Sequence, residues 1–476
     1  MPEFHSEPYI HLAGLSHDSA IIAWGAFYFR VKSKKEGDEF KLVDDDDLAD
    51  VHPPRKTTIG ARSEPYGKAR VEVFDTAGAR VASAETTATN WVRVTGLKPN
   101  TEYTYKIFVK DEEWAAGERR DWVAGPEGQG LKRMGRSYDN RFRTHPRPDQ
   151  SEPLNFAVLG DFGTGVRKPS TANRRQREVA AAIERAVDKR NVRLMLTTGD
   201  NIYAGKTFLG LPIKNTGDED DDWFFTYYQP YRYVINRVPV YPTVGNHDDD
   251  ETEKSDDRDQ MMDNFYLIER MSTEELIGHP SLQQGLFYRV RFGADIEFLC
   301  IDTTKAKGKR LFEHSTFAPF VESSLADAST AGPGAPVWRI PFAHHPPYCA
   351  GPNHRNTDSM LERLVPLFRR AKVRAVLTGH EHNFQHSLAE DINYLITGGG
   401  GKVTLDAPTR FNEARTLTWA TEAHFLLVEV DRERMIVTPF GGLDASDGLS
   451  AITRLTADKR PETAPIEIPL AIHAGD

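Results

Sequence analysis

At 476 residues the chain exceeds what one hydrophobic core ordinarily holds, and length alone predicts roughly two to three domains. With 39% hydrophobic and 27% charged residues the balance is that of a globular protein, and no apolar run approaches the roughly 20 residues a bilayer crossing needs. A formal net charge of -10 argues against a general nucleic-acid binder, which would present a basic face; small anionic substrates stay open, because clustered metal cations outweigh a diffuse negative surface.

The N-terminal residues Met1-Pro2-Glu3-Phe4-His5 carry neither a basic nor an apolar leader region. A secreted or periplasmic protein whose leader has been removed and a cytoplasmic one remain alternatives. The first third of the chain reads as all-β: Ala20–Trp24, Ala69–Phe74 and Tyr103–Val109 are β-branched and aromatic runs split by turn residues. In Leu97-Lys98-Pro99-Asn100-Thr101-Glu102-Tyr103 the Pro-Asn pair makes a turn, and Tyr103 is placed to bond back to the corner's backbone. Lys and Asp runs in residues 32–68 predict an insertion, with Asp44 to Asp47 a solvated loop. His145-Pro146-Arg147-Pro148-Asp149 reads as a linker.

From Leu154 onward strands alternate with helical patterns, which predicts an α/β domain. Val179, Ala182, Ile183, Ala186 and Val187 form one apolar stripe over residues 174–190. Buried-strand runs lead into most of five polar blocks, which are Gly160-Asp161-Phe162-Gly163, Gly199-Asp200-Asn201-Ile202-Tyr203, Gly245-Asn246-His247-Asp248, His344-His345-Pro346-Pro347-Tyr348 and Gly379-His380-Glu381-His382. Open α/β sheets build their sites at such strand ends, and carboxylate, phenol, amide and imidazole groups converging there suit a two-metal centre. The acidic runs 218–222 and 248–259 read as surface loops, the second a candidate wall of the substrate entrance. Pro341, ahead of His344, puts the register of its strand in question. The runs 392–397 and 424–430 read as strands of a second sheet closing the domain. Two cysteines exclude a disulfide framework but not a single bridge; Cys300 reads as a buried hydrophobe, Cys349 as structural or close to the site.

Trp24, the Leu97–Tyr103 corner and the closing Phe142-Arg143-Thr144 make residues 9–146 resemble a fibronectin type III domain. In their order the five blocks resemble the metallophosphoesterases. Tyr203, with Gly163 where relatives carry a histidine two places after the aspartate, makes them similar to the purple acid phosphatases in particular. The resemblance implies an N-terminal all-β sandwich followed, over 154–476, by an α/β catalytic domain of two packed β-sheets flanked by helices in α-β-β-α layers.

It also implies a ligand set. Asp161, Tyr203 and His382 would hold one ion, Asp200 would bridge, and Asn246, His344 and His380 would hold the second. A free phenol ionises near pH ~10, so a tyrosinate ligand calls for a hard trivalent ion such as Fe(III), with Fe(II), Zn(II) or Mn(II) at the other position. His247 is implied as hydrogen-bond donor or general acid, His345 as a catalytic or supporting group, and His354 as a substrate contact; Asp248 would orient the His247 ring or face solvent, and His386 would be structural. The implied reaction is acid phosphatase-like hydrolysis of small phosphate esters by a metal-activated hydroxide, with a phosphodiesterase on nucleotide or phospholipid-type diesters as the alternative. No membrane or nucleic-acid partner is implied, and a homodimer is compatible.

Overall fold

The computed structural model describes residues 3–34, 37–43, 45–57, 59–125, 128–203, 207–208, 211–212, 223–249, 257–267, 286–306, 308–326 and 334–470. The acidic run 218–222, residues 250–256 and Asp44 lie outside the described residues.

The N-terminal part is a two-sheet sandwich. Ser19–Lys34 lies between Glu3–Leu15 and Trp91–Thr95 on one side and Gly37–Leu42 on its other half, and the facing sheet runs Arg141–Arg143, Glu102–Val109, Ala69–Phe74, Arg80–Thr86. Glu102–Val109 alternates exposed and buried positions, sending Tyr103, Tyr105, Ile107 and Val109 into a core shared with Leu12, Ile22, Trp24, Val71 and Val73. The Tyr103 hydroxyl accepts from the Lys98 backbone N–H at 2.9 Å, closing the corner that the Pro-Asn turn predicts. The region is consistent with a fibronectin type III-like domain. Residues 45–50 form a 3-10 helix with Leu48 buried and Asp47 and Asp50 beside Arg30, rather than a solvated loop.

Strand Glu3–Leu15 is buried on both faces over most of its length. Ile10 and Leu12 enter the sandwich core, while Tyr9 and His11 point the other way, onto aromatic residues 223–233 of the α/β part. Tyr9 lies 4.4 Å from Tyr228, and Phe27 lies 4.9 Å from Phe224. Arg232, buried in this seam, bonds Glu7 at 2.9 Å and Asp121 at 3.3 Å. The linker expected at 145–149 is itself half inside the seam. His145 is buried, its N–H donates to Ser16 O at 2.9 Å, and its ring meets Phe292 at 5.1 Å.

The α/β part has two mixed sheets. The first runs Val240–Pro242, Val192–Thr197, Leu154–Leu159, Phe425–Val430, Arg434–Leu443, Leu449–Ala451, its first three strands parallel. The second runs from Tyr288–Phe292 through Ile296–Cys300, Trp338–Phe342, Ala375–Thr378, Ile392–Thr397 and Phe384–Ala389 to Thr416–Ala420 and beyond. Ile392–Thr397 is in the second sheet as expected, but Phe425–Val430 pairs antiparallel with Leu154–Leu159 in the first. The inner faces meet at contacts such as Phe156 on Phe298, 5.0 Å apart. Helix Thr171–Lys189, capped by Ser170, lays Val179, Ala182, Ile183 and Ala186 on the outside of the first sheet. Helix Asp358–Arg370 lays Met360, Leu364 and Phe368 against Val376, Ile392 and Tyr394 of the second, completing the α-β-β-α layering. Among the described residues no helix is long and apolar enough to cross a membrane.

Pro341 stands inside Trp338–Phe342, opposite Leu299. Towards Ala375–Thr378 the pairing narrows to Phe342 and Leu377, with Ala343 N–H donating to Leu377 O. Pro341, two residues earlier on that same side, has no N–H to give. The register survives, and only the ladder is shortened.

Burial pushes the His145 imidazole from its ordinary value near 6.5 down to about 3, with Arg193 and His17 adding repulsion. Below about pH 6.5 the unfolded chain binds a proton that the folded chain refuses until about pH 3, so stability falls as the pH drops across that interval. We predict that between pH 7 and pH 4 the wild type loses about 2–3 kcal/mol more stability than His145→Gln, measured by urea unfolding. Parallel pH profiles of the two proteins would contradict this placement of His145.

Candidate metal centre

The polar blocks all emerge at the carboxyl ends of strands, from both sheets. Asp161 follows Leu154–Leu159, Asp200 follows Val192–Thr197, Asn246 follows Val240–Pro242, His344 follows Trp338–Phe342, and His380 follows Ala375–Thr378. Asp161, Asp200 and His380 adopt left-handed backbone, with φ of 55°, 49° and 71°. Such non-glycine residues cost of order 1 kcal/mol each and persist where surrounding structure over-determines them. Here the reversal folds each side chain back across the end of its strand. Gly245 lets the Asn246 loop pass against Asp200, because a Cβ there would overlap the Asp200 backbone nitrogen and carboxylate.

Two poles result. At the first, the Tyr203 hydroxyl lies 2.9 Å from Asp161 Oδ1, 2.8 Å from Asp200 Oδ2 and 3.1 Å from His382 Nε2. At the second, His344 Nε2 lies 3.0 Å from Asn246 Oδ1, 3.1 Å from His380 Nδ1 and 3.4 Å from Asp200 Oδ1. Asp200 therefore turns one oxygen to each pole. The groups Asp161, Asp200, His382 and His344, His345, His380 each have ligand atoms within 4.8 Å of one another, as a bound ion requires. His344 Nδ1 donates to Thr198 O at 2.8 Å, which leaves Nε2 bare towards the site.

Electrostatics favours cations here. Burial, then the neighbouring Asp200, raises the Asp161 carboxyl well above its usual range. Burial acts against ionised Asp200 too, but His344 and His247 outweigh it, and its pKa is lowered. Burial and the two carboxylates push the Tyr203 phenol well up. Among the described residues the ion-pair partners of these carboxylates are imidazoles alone. Three buried acidic oxygens this close can ionise together only around added positive charge, so the donor set fits metal ions. Burial also holds His344 and His380 below the ordinary imidazole value and takes His382 down to about 3, which keeps them as neutral ligands.

The surrounding residues divide into those the motifs suggest and those they do not. His247 N–H donates to Asp200 Oδ1 at 2.9 Å, and its ring lies 4.6 Å from that of Tyr203, beside the first pole. Asp248 neither faces solvent nor is held for the His247 ring. It is buried, and its carboxylate accepts from Gly245 N, Asn201 N, Ile202 N and Asn201 Nδ2, pinning the Asn246 loop to the Asp200 loop. His345 is buried with Nδ1 at 2.9 Å from Thr303 Oγ1, its ring 4.3 Å from that of His380. His354 stacks on His380 at 3.7 Å. His386 bonds Asn393 within its sheet.

Glu381, between the two ligand-type histidines, is fully buried and accepts from the N–H groups of Asn353 and His354 at 3.0 and 2.7 Å. Lys402 Nζ stands 4.1 Å over the Tyr203 ring. Glu381 stands inside a motif block that gives it no role and Lys402 outside every block, although the run Gly398–Gly401 following a strand is a legible sign that Lys402 returns to the same edge. Cys300 and Cys349 are both free and buried; Cys349 Sγ is 3.7 Å from Glu381 Oε2, and burial followed by Glu381 raises its thiol to about 12.

Residues 154–384 match the family of calcineurin-like phosphoesterases. The chain is similar to purple acid phosphatase 4 of Arabidopsis thaliana, 26% identical over 267 residues, which cover 54% of this chain and 70% of that protein. It is likewise similar to tartrate-resistant acid phosphatase type 5 of Oryctolagus cuniculus, 26% identical over 274 residues covering 52% and 73%. In fold it resembles the purple acid phosphatase PPD1 from yellow lupin (Lupinus luteus) seeds, with a TM-score of 0.57 at 14% identity over 97% of this chain and 78% of that one. It resembles PhoD with a TM-score of 0.61 at 14% identity over 100% and 95%.

Asp248 binds four donors across two ligand-bearing loops, so Asp248→Asn should loosen both without touching a ligand. Expected is a fall in metal affinity of roughly 10–100-fold with secondary structure retained. Metal content after graded dialysis against a chelator measures it, and unchanged retention would show that the clamp is dispensable.

Proposed function

We propose, for a chain that carries a calcineurin-like metallophosphoesterase domain and is on that ground a hydrolase of phosphate esters, that the centre works as a purple acid phosphatase-type phosphomonoesterase. In this reading an Fe(III) sits at the Tyr203 pole with Asp161 and His382, and a divalent ion, Fe(II), Zn(II) or Mn(II), sits with Asn246, His344 and His380, Asp200 lying between. The observation that carries it is the Tyr203 hydroxyl, within 3.1 Å of two carboxylates and an imidazole. The anionic donors gather at that pole and the neutral amide and imidazoles at the other, which suits ions of unequal charge.

The ions would supply an acidic water as nucleophile and offset charge on the phosphoryl oxygens. The chain's own residues do the rest. Asp200 and Asn246 fix the separation of the poles, because both loops are tied through Asp248. His247, anchored by its backbone to Asp200 and lying against Tyr203, is placed to give a proton to the departing ester oxygen. Lys402, over the Tyr203 ring, adds positive charge beside the developing anion. His354, whose ring centroid lies 3.7 Å from that of His380, stands beside the second pole as a substrate contact.

Metal analysis and a visible spectrum of the purified protein test the reading. We expect one iron with one divalent ion, a tyrosinate-to-iron charge-transfer band, and loss of that band in Tyr203→Phe; a colourless, fully loaded enzyme would overturn the ferric assignment. His247→Ala should lower kcat by roughly 10²-fold or more on an aryl phosphate monoester while metal content stays intact. Loss of metal instead would make His247 a ligand, and faster turnover of an aryl diester would move the reading to a phosphodiesterase.

A further inference from the structure

Helix Asp257–Asn264 links the N-terminal sandwich to the metal centre. Its far end is tied to the sandwich: Asp263 O accepts from Ala61 N at 3.1 Å, and Asp263 Oδ1 accepts from Arg62 N and Nε at 3.0 and 3.2 Å. Its near end carries Arg258, a buried guanidinium between two buried carboxylates. Arg258 Nε donates to Asp249 Oδ2 at 3.1 Å, Nη2 donates to the same oxygen, and Nη1 donates to Asp302 Oδ2. Nη2 also donates to Thr304 Oγ1 at 2.8 Å. Asp249 stands two residues after His247. Asp302 follows strand Ile296–Cys300 and is fixed there by Leu286 N, Thr304 N and Thr304 Oγ1, at 2.9, 3.0 and 2.7 Å. The guanidinium therefore ties the loop of Asn246 and His247, which emerges from the first sheet, to a loop of the second. Between Asp302 and Thr304, Thr303 Oγ1 lies 2.9 Å from His345 Nδ1. Burial disfavours the charge of Arg258, but Asp302 and Asp249 outweigh it and raise its pKa. One planar fork bonds both acids, a geometry that a lysine ammonium does not reproduce.

We infer that Arg258 is a positioning residue, which holds the His247 loop to the second sheet so that His247 meets the departing ester oxygen. The inference rests on the phosphomonoesterase reading for the role of His247. Asp248 ties this loop to the Asp200 loop of the first sheet, and Arg258 supplies the tie to the second. Loss of the second tie leaves the ligand-bearing loops joined and lets His247 drift. A displacement of about 1 Å can cost roughly 10²-fold in rate.

The test uses the metal-loaded full chain and two variants. Arg258→Lys keeps a positive charge between the two acids, and Asp249→Asn weakens the His247 side while leaving Arg258 on Asp302. Turnover of phenyl phosphate, whose leaving oxygen needs a proton, is compared with that of 2,4-dinitrophenyl phosphate, whose leaving oxygen does not. In both variants kcat on phenyl phosphate should fall roughly 10–100-fold, the dinitrophenyl ester should lose far less, and metal content should hold. Because Arg258 acts through His247, Arg258→Lys added to His247→Ala should cost little beyond His247→Ala alone. Backbone amides of residues 244–249 should exchange hydrogen faster in both variants, read by mass spectrometry, which reports on the tie without any turnover. Equal losses on the two esters, or losses additive with His247→Ala, overturn the positioning role and leave an ion pair that only stabilises the fold. Unchanged exchange overturns the tie itself. A wild type that turns over neither ester sinks the phosphatase reading, and the exchange rates then decide the tie by themselves.

Discussion

The constraint on which the structure turns is that the Tyr203 phenol oxygen lies within 2.8–2.9 Å of carboxylate oxygens of both Asp161 and Asp200 in a place almost closed to water. Burial and mutual repulsion push the pKa values of Asp161 and the phenol well above their ordinary values. Holding such a cluster is costly, and the fold spends its most unusual backbone on it. Three ligand-type residues are left-handed, and glycines allow loops to pass where a side chain would collide. Strain, close packing and buried acids coincide at one edge of the two sheets, where bound cations would offset the repulsion among the acids.

Strand ends were legible because short apolar runs followed by a polar block have few other readings. The helix over 171–189 was legible from one stripe, and the Tyr103 corner from a turn with an aromatic five residues after Lys98. What failed to show had a physical reason in each case. Phe425–Val430 is apolar but for Glu429, and a run buried on both faces fits either of two stacked sheets, so only pairing assigns it to the first. His145 looked like linker because Pro and Arg surround it, yet it is an interdomain residue, and burial of that kind depends on surfaces far away in sequence. Asp248 looked like the start of an acidic surface run. Its role as a clamp is set by four donors, three of them forty-odd residues upstream.

The candidate site was legible in its ligand-type residues and not in its walls. Asp161, Asp200, Tyr203, Asn246, His344, His380 and His382 stand in motifs whose spacing reflects strand ends, and the structure draws their polar atoms into the two poles. Lys402 and Thr303 stand outside that logic, and Glu381 stands in a block whose spacing gives it no role. A lysine above a phenol ring is ordinary composition until the chain is folded.

The sandwich is better understood as part of the catalytic unit than as an appended module. Segment 223–233, which carries the aromatic seam against Tyr9, Phe27 and Phe29, also touches the loop that follows Asp161. Val166 N–H donates to Phe225 O, Gln176 Nε2 to Thr226 O, and Phe162 meets Tyr231 at 5.4 Å. Residues 224–228 form a π-helical turn, a geometry that widens the helix and lets successive aromatic residues face both neighbours at once. The left-handed turn at Asp161 is therefore backed by Phe162, Phe162 by the aromatic segment, and that segment by the outer face of the sandwich. A free-standing adhesion domain would keep that face polar; here Tyr9, His11, Phe27 and Phe29 occupy it and are buried. The sandwich face and the first pole of the metal centre are thus two ends of one packed column.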